Sequence, residues 1–278
     1  FEQTSVSPHV ETGFGCVFSN IMLAEPERLE GVLRQAEGVV DYLLLDPGNV
    51  DLPEDVLHKT VALIYCDNEM WMRAAARHLA LLLGGLRGRR VLVTGVTRLI
   101  TRLAVLTAEG GADVTVPTGI ECVAEAASLF GFTMAVADPR DVLPHMDAVV
   151  CVSPRTPALG ADWVQRMRPA ALLYDGGIGS LEPEAVAVAE TRGVQVVRVD
   201  MRSTLAATAL ELINLRGIVH GRMGREAWEG VTVVGGGLIG REGDVVVDSV
   251  QDPTRVVGVA DGKGGISRPS NNNPSVQA

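Results

Sequence analysis

Residues 89–100 read Arg89-Arg90-Val91-Leu92-Val93-Thr94-Gly95-Val96-Thr97-Arg98-Leu99-Ile100. The apolar run in this stretch ends at Gly95 and leads into an amphipathic segment, 103–110, which a second β-rich run, 112–116, follows. This order predicts a strand, a glycine turn, a helix and a second strand. Such a unit is the first half of a nucleotide-binding sheet, and no other part of the sequence indicates a class of ligand.

Strand-like and helix-like patterns alternate from this unit as far as residue 199. The predicted strands are 91–94, 114–116, 133–137, 147–152, 171–175 and 194–199, and the predicted helices between them include 99–109, 121–130 and 183–192. This alternation predicts a parallel, right-handed, doubly wound sheet. The expected fold class is therefore α/β: a doubly wound, mostly parallel Rossmann sheet, with a smaller N-terminal α/β domain and a strand-rich C-terminal segment.

The chain is expected to divide into four segments. They are an N-terminal α/β domain (1–80), a Rossmann dinucleotide-binding domain (81–222), a strand-rich C-terminal segment (223–266) and a disordered tail (267–278). The last segment is rich in Ser, Asn and Pro, which cannot bury enough apolar surface to order the chain.

Composition excludes several classes of function. The formal net charge of −10 over 278 residues argues against a nucleic-acid partner, since phosphate binding needs clustered Lys and Arg. No run of 18 apolar residues occurs, so no membrane span is expected. The four cysteines are widely spaced and form no C-x-x-C pair, which predicts reduced thiols, a cytoplasmic protein and no metal site.

The turn at Gly95 keeps only the first glycine of the dinucleotide fingerprint G-x-G-x-x-G. Thr97 and Ile100 stand where the second and third glycines belong. A phosphate site here would rely on backbone N–H groups at the helix N-terminus, assisted by Thr97, Thr101 and Arg98. The alternative is a turn that binds no ligand.

A complete G-x-G-x-x-G occurs at 235–240, after an apolar run at 231–234. Another strand-like run follows it instead of a helix, so no helix N-terminus is available to hold a pyrophosphate. We interpret this run as a hairpin turn.

The stretch from Val91 to about Leu215 resembles the cofactor domain of bifunctional methylenetetrahydrofolate dehydrogenases, within the amino-acid-dehydrogenase-like Rossmann group. The runs that carry the resemblance are Gly95-Val96-Thr97, Leu99-Ile100-Thr101, 112–116, 147–152, Trp163-Val164 and 168–178. The resemblance implies a dinucleotide cofactor and redox chemistry. The family's Tyr-x-x-x-Lys has no counterpart here, Val96 stands in place of its arginine and Pro117-Thr118 in place of its His-Ser, so folate is not expected as the substrate.

The end of the second strand of the sheet bears on the choice of cofactor. An acidic residue there would bind the ribose 2′-hydroxyl of NAD, but Pro117 and Thr118 occupy that place and Glu121 lies beyond it. This favours NADP over NAD, with Thr118 and Arg98 as phosphate contacts. The alternative is that Glu121 caps its own helix.

Loops at the carboxyl ends of the later strands supply the candidates for chemistry. Ser153 and Pro154 would lie near the nicotinamide ribose, and Asp175 and Asp200 could orient a polar substrate. Arg202 could clamp a carboxylate with its guanidinium fork. Each has a structural alternative: Asp175 as a turn or cap residue, and Asp200 with Arg202 as a surface pair.

The leading hypothesis is an NAD(P)-dependent oxidoreductase that acts on a small polar substrate, such as an amino, imino or hydroxy acid. One alternative is a non-catalytic Rossmann-fold binding or structural subunit. Another is a non-redox lyase or cyclodeaminase that retains a bound dinucleotide. The expected partners are a small-molecule substrate and, as a further possibility, a second copy in a homodimer.

Overall fold

The structure is a computed structural model of the chain and describes residues 5–6, 11–13, 15–19, 21–23, 25–46, 55–228 and 230–267. The chain divides by contacts into two compact units, Phe1–Ala207 and Thr208–Ala278. The finer domain boundaries expected from the sequence stay predictions, and residues 268–278 of the expected tail lie outside the described residues. Among the described helices, none is both long enough and apolar enough to cross a bilayer.

Among its described residues, the amino-terminal part of the first unit contains short strands and two α-helices. In chain order they are β1 (Ser5–Val6), β2 (Glu11–Gly13), β3 (Cys16–Phe18), β4 (Ile21–Met22), α1 (Leu29–Ala36), β5 (Tyr42–Leu45), β6 (Val61–Ile64) and α2 (Asp67–Leu82). β1 pairs antiparallel with β4 and β2 with β3, whereas β5 and β6 are parallel. β5 begins only at Tyr42, because the N–H groups of Val39 and Val40 close a turn onto the Ala36 carbonyl.

A six-stranded sheet with alternating helices forms the rest of the first unit. Its elements are β7 (Arg90–Gly95), α3 (Thr97–Glu109), β8 (Asp113–Pro117), α4 (Cys122–Ser128), β9 (Ala135–Ala137), α5 (Pro139–Val142), β10 (Ala148–Val152), α6 (Ala161–Arg166), β11 (Leu172–Asp175), α7 (Pro183–Arg192) and β12 (Gln195–Arg198). The strand order is β12-β11-β10-β7-β8-β9, and every pairing is parallel. Counted from β7, this order is 6-5-4-1-2-3, the order of a Rossmann sheet. The predicted fold class is confirmed.

Buried residues cover both faces of this sheet. Every residue of β10 is buried, as expected for a central parallel strand. Val91 and Val93 belong to one apolar cluster with residues of α2 and α3, while Leu92 belongs to another with residues of α6 and α7. Successive side chains of a strand point to opposite faces of the sheet. The apolar residues of β7 therefore pack against helices on both sides of the sheet.

The end of β7 makes a backbone contact that only glycine permits. Gly95 has a φ of +127°, and a Cβ at this position would lie 2.2 Å from the Val152 carbonyl oxygen. The next residue, Val96, donates its N–H to the same oxygen at 2.8 Å. The first glycine of the fingerprint is therefore required by the spacing of β7 and β10.

The second unit contains a five-stranded sheet. The helix α8 (Arg202–Gly221) begins in the first unit and precedes β13 (Gly224–Trp228), β14 (Val231–Gly235), β15 (Val245–Val247), β16 (Val256–Ala260) and β17 (Ile266–Ser267). The strands lie in sequence order, and β14 and β15 are parallel while the other neighbours are antiparallel.

The interpretation of the 235–240 glycine run as a hairpin turn is wrong. A hairpin joins antiparallel strands, but Val233 pairs with Val245 in parallel register, so residues 236–244 form a crossover. Gly236 has a φ of +65°, and a Cβ there would lie 2.4 Å from the backbone of Met223. A glycine of this run is therefore needed for close backbone packing inside the second unit.

Candidate functional site

The carboxyl edge of the six-stranded sheet has a topological switch point between β7 and β10, where successive connections run in opposite directions. Helix α3 begins at this point. Its N-cap residue, Val96, makes no side-chain cap hydrogen bond, and its carbonyl accepts from Leu99 and Ile100. The N–H groups of Thr97 and Arg98 thus have no acceptor from the cap side chain, and both residues are exposed. A helix start of this kind favours an anion.

The turn after β8 lies beside this helix start, because β7 and β8 are neighbours in parallel register. Thr118 is exposed there. The Glu121 carboxylate accepts a hydrogen bond from the Gly119 N–H at 2.8 Å, which lowers the pKa of that carboxyl. Glu121 therefore folds onto its own turn. It stands at the N-cap of α4 but makes no side-chain cap bond to that helix.

The loop after β11 is organised by one buried carboxylate. Asp175 accepts from the N–H groups of Gly177 at 3.1 Å, Gly179 at 2.7 Å and Ser180 at 3.3 Å. The residue that these bonds enclose, Ile178, has a φ of +57°. A β-branched side chain rarely adopts this left-handed conformation, so the Asp175 bonds hold the loop in a strained shape.

The loops after β10 and β11 are joined by hydrogen bonds. Ser180 is fully buried, and its Oγ accepts from the Ser153 N–H at 3.0 Å. Arg155, also at a φ of +57°, donates its N–H to the Ile178 carbonyl at 3.4 Å. A Cβ on Gly177 would lie 2.3 Å from the Ser180 Oγ. The two loops therefore form one rigid wall at the carboxyl edge.

Asp200 and Arg202, which follow β12, bind each other. The Arg202 Nε lies 3.0 Å from Asp200 Oδ1, and the Arg202 N–H donates to the same oxygen at 3.0 Å. The side-chain bond from Arg202 lowers the pKa of Asp200 to about 2. Since 70% of the Arg202 side chain is exposed, the guanidinium is reachable by a solute that competes with this carboxylate.

A histidine and a tyrosine that the sequence does not single out also meet in the first unit. His78 of α2 places its Nδ1 3.2 Å from the hydroxyl of Tyr174 in β11, with the rings edge to face at 5.6 Å. Burial raises the pKa of the Tyr174 hydroxyl above its usual range. The two residues are 96 positions apart, and no sequence spacing links them.

A second set of polar side chains lies at the start of α2. Asp67 is the first residue of this helix, and the Asp46 carboxylate accepts its N–H at 3.1 Å. Tyr65 donates to Asp67 Oδ1 at 3.4 Å, and burial raises the pKa of Asp67. The cap is supplied by a distant part of the chain, which sequence proximity cannot reveal.

The two helices that flank the switch point are tied by an ion pair. Arg102 of α3 donates from Nε and Nη2 to the two carboxylate oxygens of Glu69 in α2, at 2.8 and 2.7 Å. This pair fixes α3, whose first turn forms the anion-favouring end, against α2.

The predicted site residues all belong to one edge of the sheet, because the carboxyl ends of parallel strands meet there. In strand order they are Asp200 and Arg202 after β12, Asp175 at the end of β11, Ser153 and Pro154 after β10, Gly95, Thr97 and Arg98 at β7, and Thr118 after β8. Their roles stay predictions. Within the described ranges, no group of three or more His, Cys, Asp or Glu side chains is placed to hold a metal ion.

Several solved structures are similar to this chain. A dipicolinate synthase structure from Bacillus halodurans has 17% sequence identity and a TM-score of 0.39, over 63% of this chain and 79% of that chain. The apo-structure of D-lactate dehydrogenase from Escherichia coli has 11% identity and a TM-score of 0.42, over 69% and 86%. The transhydrogenase from Sinorhizobium meliloti has 13% identity and a TM-score of 0.39, over 64% and 68%.

No protein-family model matches the chain, and no curated protein matches it in sequence. The resemblance to methylenetetrahydrofolate dehydrogenases therefore stays a prediction. The class of the fold is defined by the strand order: this is a Rossmann-type α/β fold, with an additional five-stranded sheet in the second unit.

Proposed function

We propose that the first unit binds a nicotinamide dinucleotide along the carboxyl edge of its sheet, and that the protein is an NAD(P)-dependent oxidoreductase. The observation that carries the proposal is the start of α3, whose cap side chain offers no acceptor, at the switch point of a sheet in Rossmann order. In sheets of this order, ligands bind outside the carboxyl ends at the switch point.

The residues present fit such a cofactor. The first turn of α3, with Thr97 and Arg98, would hold the pyrophosphate through backbone N–H groups and positive charge. Ser153 and Pro154 would line the nicotinamide ribose. When bound, the cofactor supplies or accepts the hydride, and the rigid wall of the two joined loops would orient it and exclude water.

The turn after β8 supports NADP over NAD as the cofactor. An acidic side chain that binds the ribose 2′-hydroxyl would favour NAD. Glu121, the carboxylate nearest in sequence, is engaged with Gly119. Thr118 and Arg98 are the side chains that would contact a 2′-phosphate.

The expected substrate is a small polar acid, such as an amino, imino or hydroxy acid. Arg202 would bind its carboxylate by exchanging Asp200 for the substrate, which a surface-exposed ion pair permits at little cost. Asp200 would then be free to orient a polar group. Asp175 would act by holding the loop, since its oxygens already accept three N–H groups.

The test is calorimetric titration of the protein with NADPH, NADH and their oxidised forms. The informative variant is Thr97→Glu, because an acidic residue in the first turn suits the helix dipole but repels a pyrophosphate. We expect micromolar binding, tighter for the NADP pair, and a loss of at least about tenfold in the variant. A Gly95 variant is unsuitable, because any side chain there collides with Val152.

The matched control is Thr133→Glu, an exposed threonine that precedes β9 at the opposite edge of the sheet. It should bind like the native protein. Absence of binding for all four dinucleotides by a folded protein would refute the proposal. Equal binding by native protein and Thr97→Glu would refute the placement of the pyrophosphate.

A second candidate is a protein that binds the dinucleotide without redox turnover, as a binding subunit or as a lyase or cyclodeaminase. It is favoured by one observation: the three side chains expected to perform chemistry are already engaged, Asp175 by its loop and Asp200 with Arg202 by each other. This candidate would be supported if a dinucleotide binds in the calorimetric titration but NAD(P)H absorbance does not change on addition of amino, imino or hydroxy acids. Turnover of any such acid would exclude it.

A further inference from the structure

The carboxyl-terminal half of α8 exposes its apolar side chains. Ala209, earlier in the helix, is 1% exposed, whereas Leu215 is 53%, Ile218 37% and Val219 40% exposed. Single exposed apolar residues are ordinary on protein surfaces, but several on one helical face indicate an interaction surface.

Four residues along this part of α8 and the turn that follows it share one face, which we call the α8 seam: Glu211, Leu215, Ile218 and Arg222. Their spacing alternates between four and three positions, as for the a and d residues of a coiled coil. All four are exposed. Arg222 continues the helical turn beyond the last α8 residue, since its N–H donates to the Ile218 carbonyl at 3.0 Å.

The charges of the α8 seam are arranged symmetrically about its apolar middle. Glu211 and Arg222 lie at opposite ends, equally far from a point between residues 216 and 217. A surface of this kind is complementary to itself when two copies run in opposite directions. In a parallel pair, Glu211 would face the partner's Glu211, and like charges would repel.

We infer that the α8 seam is the contact surface for a second copy of this chain, in an antiparallel helix pair about a two-fold axis. Leu215 packs against the partner's Ile218, and Glu211 pairs with the partner's Arg222 at both ends. Such an isologous contact uses the same patch on both copies. The inference goes beyond the proposed function and is independent of cofactor binding.

The contact is expected to be weak. One helix pair buries less than about 1,200 Å² in total, which is the size of transient contacts. Dissociation is therefore expected in the micromolar range, about 10⁻⁶ to 10⁻⁴ M.

The test is sedimentation velocity of the full chain across this range of concentration, with charge-reversal variants. Glu211→Arg and Arg222→Glu should each weaken the dimer by at least about tenfold, because each sets like charges opposite one another. The double variant restores opposite charges at both ends, and we expect it to return to within about threefold of the native dissociation constant. Glu190→Arg on α7 makes the same charge change at an exposed helix position and should leave association unchanged.

Leu215→Asp, checked for native circular dichroism, tests the apolar middle and should be monomeric. A native chain that stays monomeric throughout this range overturns the inference. So does a dimer that persists in both single charge variants and in Leu215→Asp. A double variant that remains as weak as the single ones overturns the antiparallel pairing.

Discussion

At the scale of single residues, one buried and two exposed carboxylates organise turns and helix starts of the first unit. Asp175 closes the loop after β11, Asp46 caps α2 and Glu121 holds its own turn. In each case a charged oxygen accepts a backbone N–H, which is stronger than a neutral hydrogen bond. Asp175 and Glu121 therefore shape the carboxyl edge of the six-stranded sheet before any ligand binds.

Asp175→Ala is expected to lower the free energy of unfolding by about 2–3 kcal/mol, because it leaves three N–H groups of a partly buried loop without their acceptor. Urea unfolding measures the change. Asp113→Ala, at an exposed position that begins β8, is the control and should change stability by less than about 0.5 kcal/mol. Equal stability of native protein and Asp175→Ala would contradict the loop-holding role and favour a catalytic one.

The pKa of Asp200 gives a pH-dependent prediction. Because the bond from Arg202 lowers this pKa to about 2 in the folded protein, the pair contributes stability above about pH 4, the ordinary range of Asp, and loses it as pH falls from there toward 2. The contribution stays below about 1 kcal/mol, since both side chains are exposed.

The measurement is an NMR titration of the Asp200 carboxyl in native protein and in Arg202→Gln. The variant should raise the pKa toward about 3.9, the value of an unperturbed Asp, although the backbone N–H of residue 202 still donates to Asp200 and keeps the pKa below that value. An identical low value in both proteins would show that the Arg202 side chain is not the cause.

At the scale of elements, the alternation of strands and helices over residues 89–199 could be predicted from the sequence, because buried parallel strands are continuous apolar runs. The prediction of a hairpin at residues 235–240 was wrong, because a pattern of glycines does not indicate which strands pair. The His78–Tyr174 and Asp46–Asp67 contacts could not be predicted, since they join positions that only the folded topology brings together.

The Glu69–Arg102 pair should couple α2 to α3 measurably. A double-mutant cycle with alanine at each position is expected to give about 0.5–1 kcal/mol of coupling, because the two-pronged pair is partly shielded from water. The Glu30–Arg34 pair on α1 is more exposed and lies within one helix, so its coupling should be about 0.3–0.5 kcal/mol. A value for Glu69–Arg102 no larger than for Glu30–Arg34 would mean that this pair does not fix α3.

At the scale of the whole molecule, charge governs which partners can approach. The formal net charge is −10, so we expect the protein to bind duplex DNA more weakly than about 10⁻⁴ M at physiological salt. Fluorescence anisotropy with a labelled duplex measures this, and a salt-sensitive dissociation constant below that value would reveal a basic surface that the net charge conceals. The net charge also repels an anionic cofactor. The local attraction that overcomes this repulsion must therefore come from the first turn of α3.

The contact of Gly95 with the Val152 backbone has a consequence for mutational surveys. Saturation of position 95 would return glycine alone, whether the protein turns over a cofactor, merely binds one or binds none. An invariant glycine there would report the distance between two strands, so a survey that seeks the ligand should vary the exposed positions that follow it.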